Sequence, residues 1–265
     1  MMSANTKRWL RRVVPAPARH FAREMVYGPR VDEVELVHKF MGKSSQPRVM
    51  MDVGAHKGAA LEAFARDGWK VLGFEPDPDT RSELEDFCSD KPNVKIDPRA
   101  LSNRTDDELP WFRSDLSSGI SSLSAFHESH EPAGFVTVTT AAKAMEDHKI
   151  ENVDFLKIDA EGNDLFVLQG FPFEWIKPDV IVCEFEDDKT EALGYNFRDM
   201  ADFLVGHGYH LLVSEWYPIT RYGTSHRWRR YVPYPCELVN LHAWGNIIAV
   251  KDVDEFARLR SLSES

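Results

Sequence analysis

The sequence predicts an α/β fold: a mostly parallel sheet with an antiparallel last strand, helices on both faces and a short N-terminal helical extension. Three observations predict it. Short apolar runs alternate with amphipathic segments along most of the chain, the pattern of repeated strand–helix units. Three of the runs finish at or beside an acid, Asp52, Glu75 and Asp159, and the carboxyl ends of parallel strands are where such sheets bind ligands. The length, 265 residues, accommodates one full α/β domain and not two.

Each element follows in order. Val34, Leu36, Val37, Phe40 and Met41 give residues 31–46 a helix ahead of the first strand, with Gly42–Gln46 as linker, so an extension over 1–46 precedes a domain over 47–265. Val49–Val53 is the first strand, and Ala59–Arg66 the first helix after it. Between them runs Asp52-x-Gly54-x-x-x-Gly58. A dinucleotide fingerprint needs Gly-x-Gly-x-x-Gly so that backbone can close on a pyrophosphate, and here His56 stands at the second glycine position. No Gly-Lys-Ser/Thr follows, so a Walker loop is also absent. The spacing suits a ligand with a ribose and an amino-acid tail but no phosphate, namely S-adenosylmethionine. Trp69–Phe74 is the second strand. Glu75 at its end lies about twenty residues past the turn, where a carboxylate accepts ribose hydroxyls. Pro76 stops the strand, and Pro78 starts the next helix.

Val94–Ile96 is the third strand, and Ala100-Leu101-Ser102 after it is expected near the adenine. The alternation then breaks. Leu109–Arg113 and Phe135–Thr139 read as extra strands around a Ser/Gly-rich loop carrying Phe126, His127 and His130. Ala141–His148 is a helix. Phe155–Ile158 is the fourth parallel strand, with Asp159 at its end and a helix from Leu165 to Gly170. Val180–Cys183 is the fifth, ending at Glu184. A helix over Phe197–Gly206, a closing pair of strands at Tyr209–Val213 and Ile247–Val250, and a surface helix over Asp252–Leu262 complete the domain.

The block Leu156-Lys157-Ile158-Asp159-Ala160-Glu161-Gly162, together with Asp52-Val53-Gly54-Ala55 and Phe74-Glu75-Pro76, resembles the FkbM family of S-adenosylmethionine-dependent methyltransferases. The similarity runs over roughly residues 48–251 and includes Ala100-Leu101-Ser102, the Ser117–Leu123 stretch, Lys177-Pro178-Asp179, Glu184 and Asn246–Val250. It departs at His56, where the family more often has Asn. The resemblance implies a class I, Rossmann-like methyltransferase domain. Its cofactor contacts are expected at Asp52, Gly54, Ala55, His56, Gly58, Glu75, Pro76, Asp77, Ala100, Leu101, Ser118 and Asp159.

An alcohol acceptor loses a proton as its bond to the methyl forms, so a base is expected within hydrogen-bond reach. Asp159 is the first candidate, with Glu161 and His127 next and Glu184 behind them. Lys157, mid-strand, is too costly to bury alone and is expected to pair with a neighbouring acid. Asp159 and Glu184 at adjacent strand ends are a carboxylate pair of the kind that holds Mg²⁺, although the spacing demands no metal. The function expected is O-methylation of a hydroxyl on a sugar-containing or other small-molecule acceptor. The alternatives are a non-catalytic scaffold that keeps the cofactor fold, and an N- or protein methyltransferase.

Composition bounds the partners. A net charge of −11 disfavours nucleic acid. Three scattered cysteines form neither a disulfide framework nor a zinc pattern, and with no apolar run near ~20 residues they suit a cytoplasmic protein. Residues 1–30 carry seven Lys/Arg against Glu24 alone, in a short amphipathic pattern. Such a segment suits peripheral contact with an anionic inner-membrane surface, docking on the acidic body, or dimer contacts. Trp216–Pro235, rich in Tyr, Trp and Arg, reads as a loop over the carboxyl ends of the sheet. It suits acceptor binding or a homodimer interface.

Overall fold

The computed structural model describes residues 31–44, 46–116, 118–222 and 224–264. The basic start over 1–30 and the side chain of Ser118 lie outside the described residues. Helix α1 (Glu33–Met41) leads to β1 (Val49–Val53), α2 (Glu62–Arg66), β2 (Lys70–Phe74), α3 (Pro78–Cys88) and β3 (Val94–Asp97). Strands β4 (Ala100–Leu101), β5 (Asp106–Ser114) and β6 (His130–Thr139) follow, then α4 (Ala141–His148), β7 (Phe155–Ile158) and α5 (Asp164–Gln169). The chain continues through β8 (Val180–Glu186), α6 (Asp187–Thr190), α7 (Phe197–Gly206), β9 (His210–Trp216), β10 (Trp228–Pro233), β11 (Trp244–Val250) and α8 (Val253–Ser263).

Eight strands form the main sheet in the order β10-β9-β11-β8-β7-β1-β2-β3. From β3 through β8 the pairings are parallel, and β11 is antiparallel to both its neighbours. The connection from β1 goes one way to β2, whereas β7 lies on its other side, so the strand order reverses between β1 and β7. That crevice is where an open α/β sheet places its ligand.

The period-two alternation of the strands divides their side chains between two cores. Met51, Val53, Leu156, Ile158, Ile181 and Cys183 face α4, α5 and α7. Met50, Phe155 and Val182 face α1, α2, α3 and α8. Helix α1 belongs to this second core: Val37 and Phe40 are buried in it, and Glu33 accepts from Ser214 Oγ at 2.5 Å and Trp216 Nε1 at 2.8 Å. A helix assigned from sequence to an extension is thus packed into the domain.

Several elements differ from the sequence reading. The first helix after β1 covers only Glu62–Arg66, with turns before it. Ala100-Leu101 pairs with Val138-Thr139, making β4-β6-β5 a separate three-stranded sheet. Six residues of the expected Trp216–Pro235 loop are the strand β10, antiparallel to β9. The loop proper is Tyr217–Arg227, closed by a hydrogen bond from Tyr217 N–H to Arg227 O at 3.0 Å. Aromatic residues such as Trp228 and Tyr231 carry strand propensity as readily as loop function. No helix among the described residues is long and apolar enough to cross a membrane.

Lys157 and Asp52 are direct cross-strand neighbours in the parallel register of β7 and β1. The Lys157 ammonium lies 3.3 Å from Asp52, 3.5 Å from Asp159 and 2.9 Å from Gly54 O, so the expected ion pair is present. Burial raises the Asp52 pKa, and Lys157 opposes that rise. Burial likewise works against the charge on Lys157, but Asp52 and Asp159 outweigh it and hold its pKa above the ordinary value. Lys157→Met leaves a fully buried acid without its cation and is expected to lower the unfolding free energy by about 3–5 kcal/mol in urea denaturation. The double variant with Asp52→Leu should regain most of that loss; no recovery would mean that the pair is not what holds the centre of the sheet.

Candidate active site

At the β1–β7 crevice two backbones meet at closest approach. Gly54 has φ 73°, and a Cβ on it would fall 1.9 Å from Asp159 O, so only glycine fits. Two non-glycine residues at the site also hold left-handed backbone: His56 at φ 47° and Glu161 at φ 49°. Strain of this kind costs of order 1–3 kcal/mol and persists where surrounding structure enforces it. The clamps are visible. His56 N–H donates to Glu75 Oε2 at 2.9 Å, and Ser122 Oγ donates to Glu161 O at 2.8 Å.

The N–H groups of Gly54 and Ala55 are spent on Phe74 O, and that of Gly58 on Ala55 O. With His56 N–H held by Glu75, this turn offers no cradle of free N–H donors for a phosphate, in agreement with the spacing argument.

A cleft of about 150 Å³, open to solvent at its mouth, lies over this crevice. Pro76, Ala100, Leu101, Trp111 and Leu123 give it an apolar wall; Gly54, His56, Glu75, Asp159 and Glu161 give it polar groups. Glu75 is 6% exposed and its other oxygen accepts from Asp77 N–H at 3.0 Å. Burial pushes its pKa up to about 7. A second cleft, toward α1 and α2, shares Gly54, His56 and Asp159 with the first and is floored by Lys157.

Beside the mouth, oxygens of Asp159, Glu161 and Glu184 lie within 4.8 Å of one another. Lys189, 3% exposed, places its ammonium 2.6 Å from Glu161, 2.9 Å from Glu184 and 2.9 Å from Glu186. Burial pushes the pKa of Glu161 up to about 7 and that of Glu184 well above the ordinary carboxylate value, while Lys189 pulls both back. Asp164, also raised to about 7 by burial, accepts from the backbone N–H groups of Ala160 and Glu184 and so ties the turn after β7 to β8. Phe126 and Tyr222 roof the cluster, with ring centroids 5.3 and 5.9 Å from Lys189 Nζ, and Tyr222 OH donates to Glu186 at 2.9 Å.

The expected residues divide by position. Gly54, His56, Glu75, Pro76, Ala100, Leu101, Asp159 and Glu161 line the first cleft, and Ala55 lines the second. Asp52 is buried beneath it against Lys157. Gly58 packs on Phe87, where a Cβ would come within 2.6 Å. Asp77 caps α3, accepting from Thr80 N–H at 3.0 Å, and receives Trp111 and Arg113 on its other oxygen. It positions the Trp111 wall and does not line the cleft. His127 also does not line it: its Nδ1 accepts from Ser129 N–H at 3.1 Å and its ring stands edge-on to Tyr222 at 5.3 Å. His130 accepts from the N–H groups of Phe126 and His127 and bonds Ile120 O, which makes it a loop anchor.

Lys189, Asp164 and Trp111 were not singled out as site residues by the sequence, whereas Tyr222 lies in the Trp216–Pro235 segment expected to bind acceptor or form an interface. Asp164 stands two residues beyond the Leu156–Gly162 block, at the start of α5. Lys189 gives no pattern signal, since it follows two acids at the end of a strand.

Glu75, Glu161 and Asp164 share a raised pKa, so stability has a predicted pH slope. Between their unfolded values near 4 and about 7 the native state holds protons that the unfolded chain has released. Stability is therefore full below that window and falls as pH rises through it. His56 and His226, whose pKa values burial lowers, act in the opposite sense but are fewer. Urea midpoints of the ligand-free protein should decrease from pH 5 to 8; a flat or rising trend would show that these acids are not protonated in the fold.

The profile of the family described as Methyltransferase FkbM domain matches residues 52–211. No curated protein matches the chain in sequence. Among solved structures, precorrin-6y C5,15-methyltransferase from Geobacter metallireducens is similar at 15% identity and a TM-score of 0.45, over 82% of this chain and 86% of that one. Aeropyrum pernix fibrillarin, solved with natively bound S-adenosyl-L-methionine, is similar at 13% identity and 0.41, over 87% and 74%. The family match spans more than half of the chain and all three strand-end acids, Asp52, Glu75 and Asp159. The chain belongs to the FkbM methyltransferase family and is an S-adenosylmethionine-dependent methyltransferase.

Proposed function

We propose that the chain methylates a hydroxyl of a sugar-containing or other small-molecule acceptor. The observation that carries this reading is the group of three carboxylates, Asp159, Glu161 and Glu184, gathered beside the cofactor cleft. A hydroxyl must lose its proton during transfer, and a carboxylate whose pKa is near the working pH is suited to take it. Glu161, raised to about 7 and lining the cleft, meets both requirements. Asp159 stands on the boundary of both clefts and orients the acceptor against the methyl. Phe126 and Tyr222 supply flat apolar faces of the kind that pack on sugar rings.

The residues present fit the cofactor. Gly54 lets the turns after β1 and β7 close together beside the cleft, Glu75 offers oxygens for ribose hydroxyls, and Pro76, Ala100, Leu101 and Trp111 form an apolar slot for a base. His56 and Lys157, at the junction with the second cleft, are placed for the amino-acid end. When bound, S-adenosylmethionine supplies a methyl already activated on a sulfonium. The chain's own work is to hold the acceptor in line, keep water out under the Tyr222 roof and accept one proton. Lys189 supplies between Glu161 and Glu184 the positive charge that a divalent ion would otherwise bring.

Two experiments test this. S-adenosylhomocysteine at ~100 times its dissociation constant should stabilise the wild type by about 2.7 kcal/mol, a rise of roughly 5–10 °C. Glu75→Ala should abolish the rise, and no rise in wild type would favour a scaffold that has lost the cofactor. Glu161→Gln should keep the thermal shift yet lower kcat by about 10²–10⁴-fold on a hydroxyl acceptor found by screening. In wild type kcat should climb with pH through about 7 as Glu161 ionises. Equal activity of Glu161→Gln, or transfer to amines alone, would overturn the O-methylation reading.

A further inference from the structure

Two guanidiniums at the base of the Tyr217–Arg227 loop lie over one aromatic ring. Arg227 Cζ lies 4.6 Å and Arg229 Cζ 4.1 Å from the centroid of the Tyr217 ring. Stacking occupies the flat face of a guanidinium and leaves its in-plane N–H donors for a planar or tetrahedral anion. Neither has a carboxylate within hydrogen-bond distance among the described residues. The acid nearest Arg229 is Glu215, at 3.9 Å, and Glu215 is already held by Arg230 at 2.7 Å and Val239 N–H at 2.8 Å. Arg229 Nε is buried with no hydrogen-bond partner. By contrast, Arg99 grips Asp97 at 2.6 Å. Two like charges sharing one ring, in a chain otherwise strongly acidic, are unfavourable until an anion joins them.

Their place in the fold gives this pair a use. Tyr217 and Arg227 close the same loop whose Tyr222 roofs the carboxylate cluster. His226, next to Arg227, stands 5.2 Å from Trp244, which pairs in register with Glu186 at the end of β8. One loop therefore joins the acidic cluster around Glu161 and Glu184 to a cationic base. We infer that the acceptor carries an anionic group, a carboxylate or a phosphate, which Arg227 and Arg229 bind while its neutral hydroxyl end meets Glu161. The inference rests on the methyl-transfer reading above. An anion at the other end would meet three glutamates, so the polarity also fixes which way round the acceptor lies.

The test separates the two readings. Protein saturated with S-adenosylhomocysteine, so that the cofactor cleft is filled, is titrated with sodium phosphate and separately with sodium acetate at constant ionic strength, followed by tryptophan fluorescence and calorimetry. Saturable binding is expected in wild type, weaker by about 10–100-fold in Arg227→Ala, with the S-adenosylhomocysteine-induced thermal shift unchanged. Arg229→Lys, which keeps the charge and loses the fork, should fall between them. Tighter phosphate than acetate assigns a phosphoryl group, and the reverse a carboxylate. Absence of saturable binding in wild type, or equal binding in Arg227→Ala, overturns the proposal. Methyl transfer to neutral hydroxyl compounds with no preference for glucuronate over glucose overturns it too, while leaving the methyl-transfer reading intact. Anion binding without transfer to any hydroxyl compound would sink the transfer reading instead.

Discussion

Everything at the functional end of this molecule depends on how closely β1 and β7 approach one another. Gly54 presses against the carbonyl of Asp159 with no room for a side chain between them. The same two strands share the Lys157 ammonium, which reaches Asp52, Asp159 and the Gly54 carbonyl together. One backbone contact and one buried cation thus set the spacing of the two turns that bear His56 and Glu161. A change in either would move both walls of the cleft at once, because the interior is close-packed and transmits displacement.

The second constraint is electrostatic. The turns after β7 and β8 bring Asp159, Glu161, Asp164, Glu184 and Glu186 to one side of the sheet. Lys189 answers three of them with a single charge. The protein meets the remaining imbalance by holding protons: burial raises the pKa of Glu161, Asp164 and Glu184 until some of the acids are neutral near pH 7. An acid kept at this balance point can exchange a proton at little cost, which is what general-base work asks of it.

Much of this was legible in the sequence, and the limits have physical reasons. The strand-end acids and the Asp-x-Gly turn were readable because parallel strands announce themselves as short apolar runs and place their last residues at one edge. The pairing of Lys157 with an acid followed from the cost of burying it alone. The cluster's central cation was not readable: Lys189 lies in a four-residue helix with no periodicity, and it meets Glu161 only because β7 and β8 are adjacent. Asp77 and His127 carry residue types that suit catalysis or binding, yet tertiary contacts commit the first to capping α3 and the second to its own loop. The β10 strand was hidden by composition, since Trp228, Arg229, Arg230 and Tyr231 fit an edge strand as well as a binding loop.

The outer face of β10 has a further consequence, for association. Among the described residues β10 and β3 are the two ends of the main sheet, and an end strand is a template on which a second chain can add hydrogen bonds. Strand β10 blunts that hazard three ways: its register slips between Trp228 and Arg230, two adjacent arginines charge it, and Pro233 at its end has no N–H to donate. Strand β3 is only four residues long and includes Lys95 and Asp97. The sheet is finished at both borders, so growth into a cross-strand aggregate would have to displace charge, a bulge or a proline before the first new bond formed.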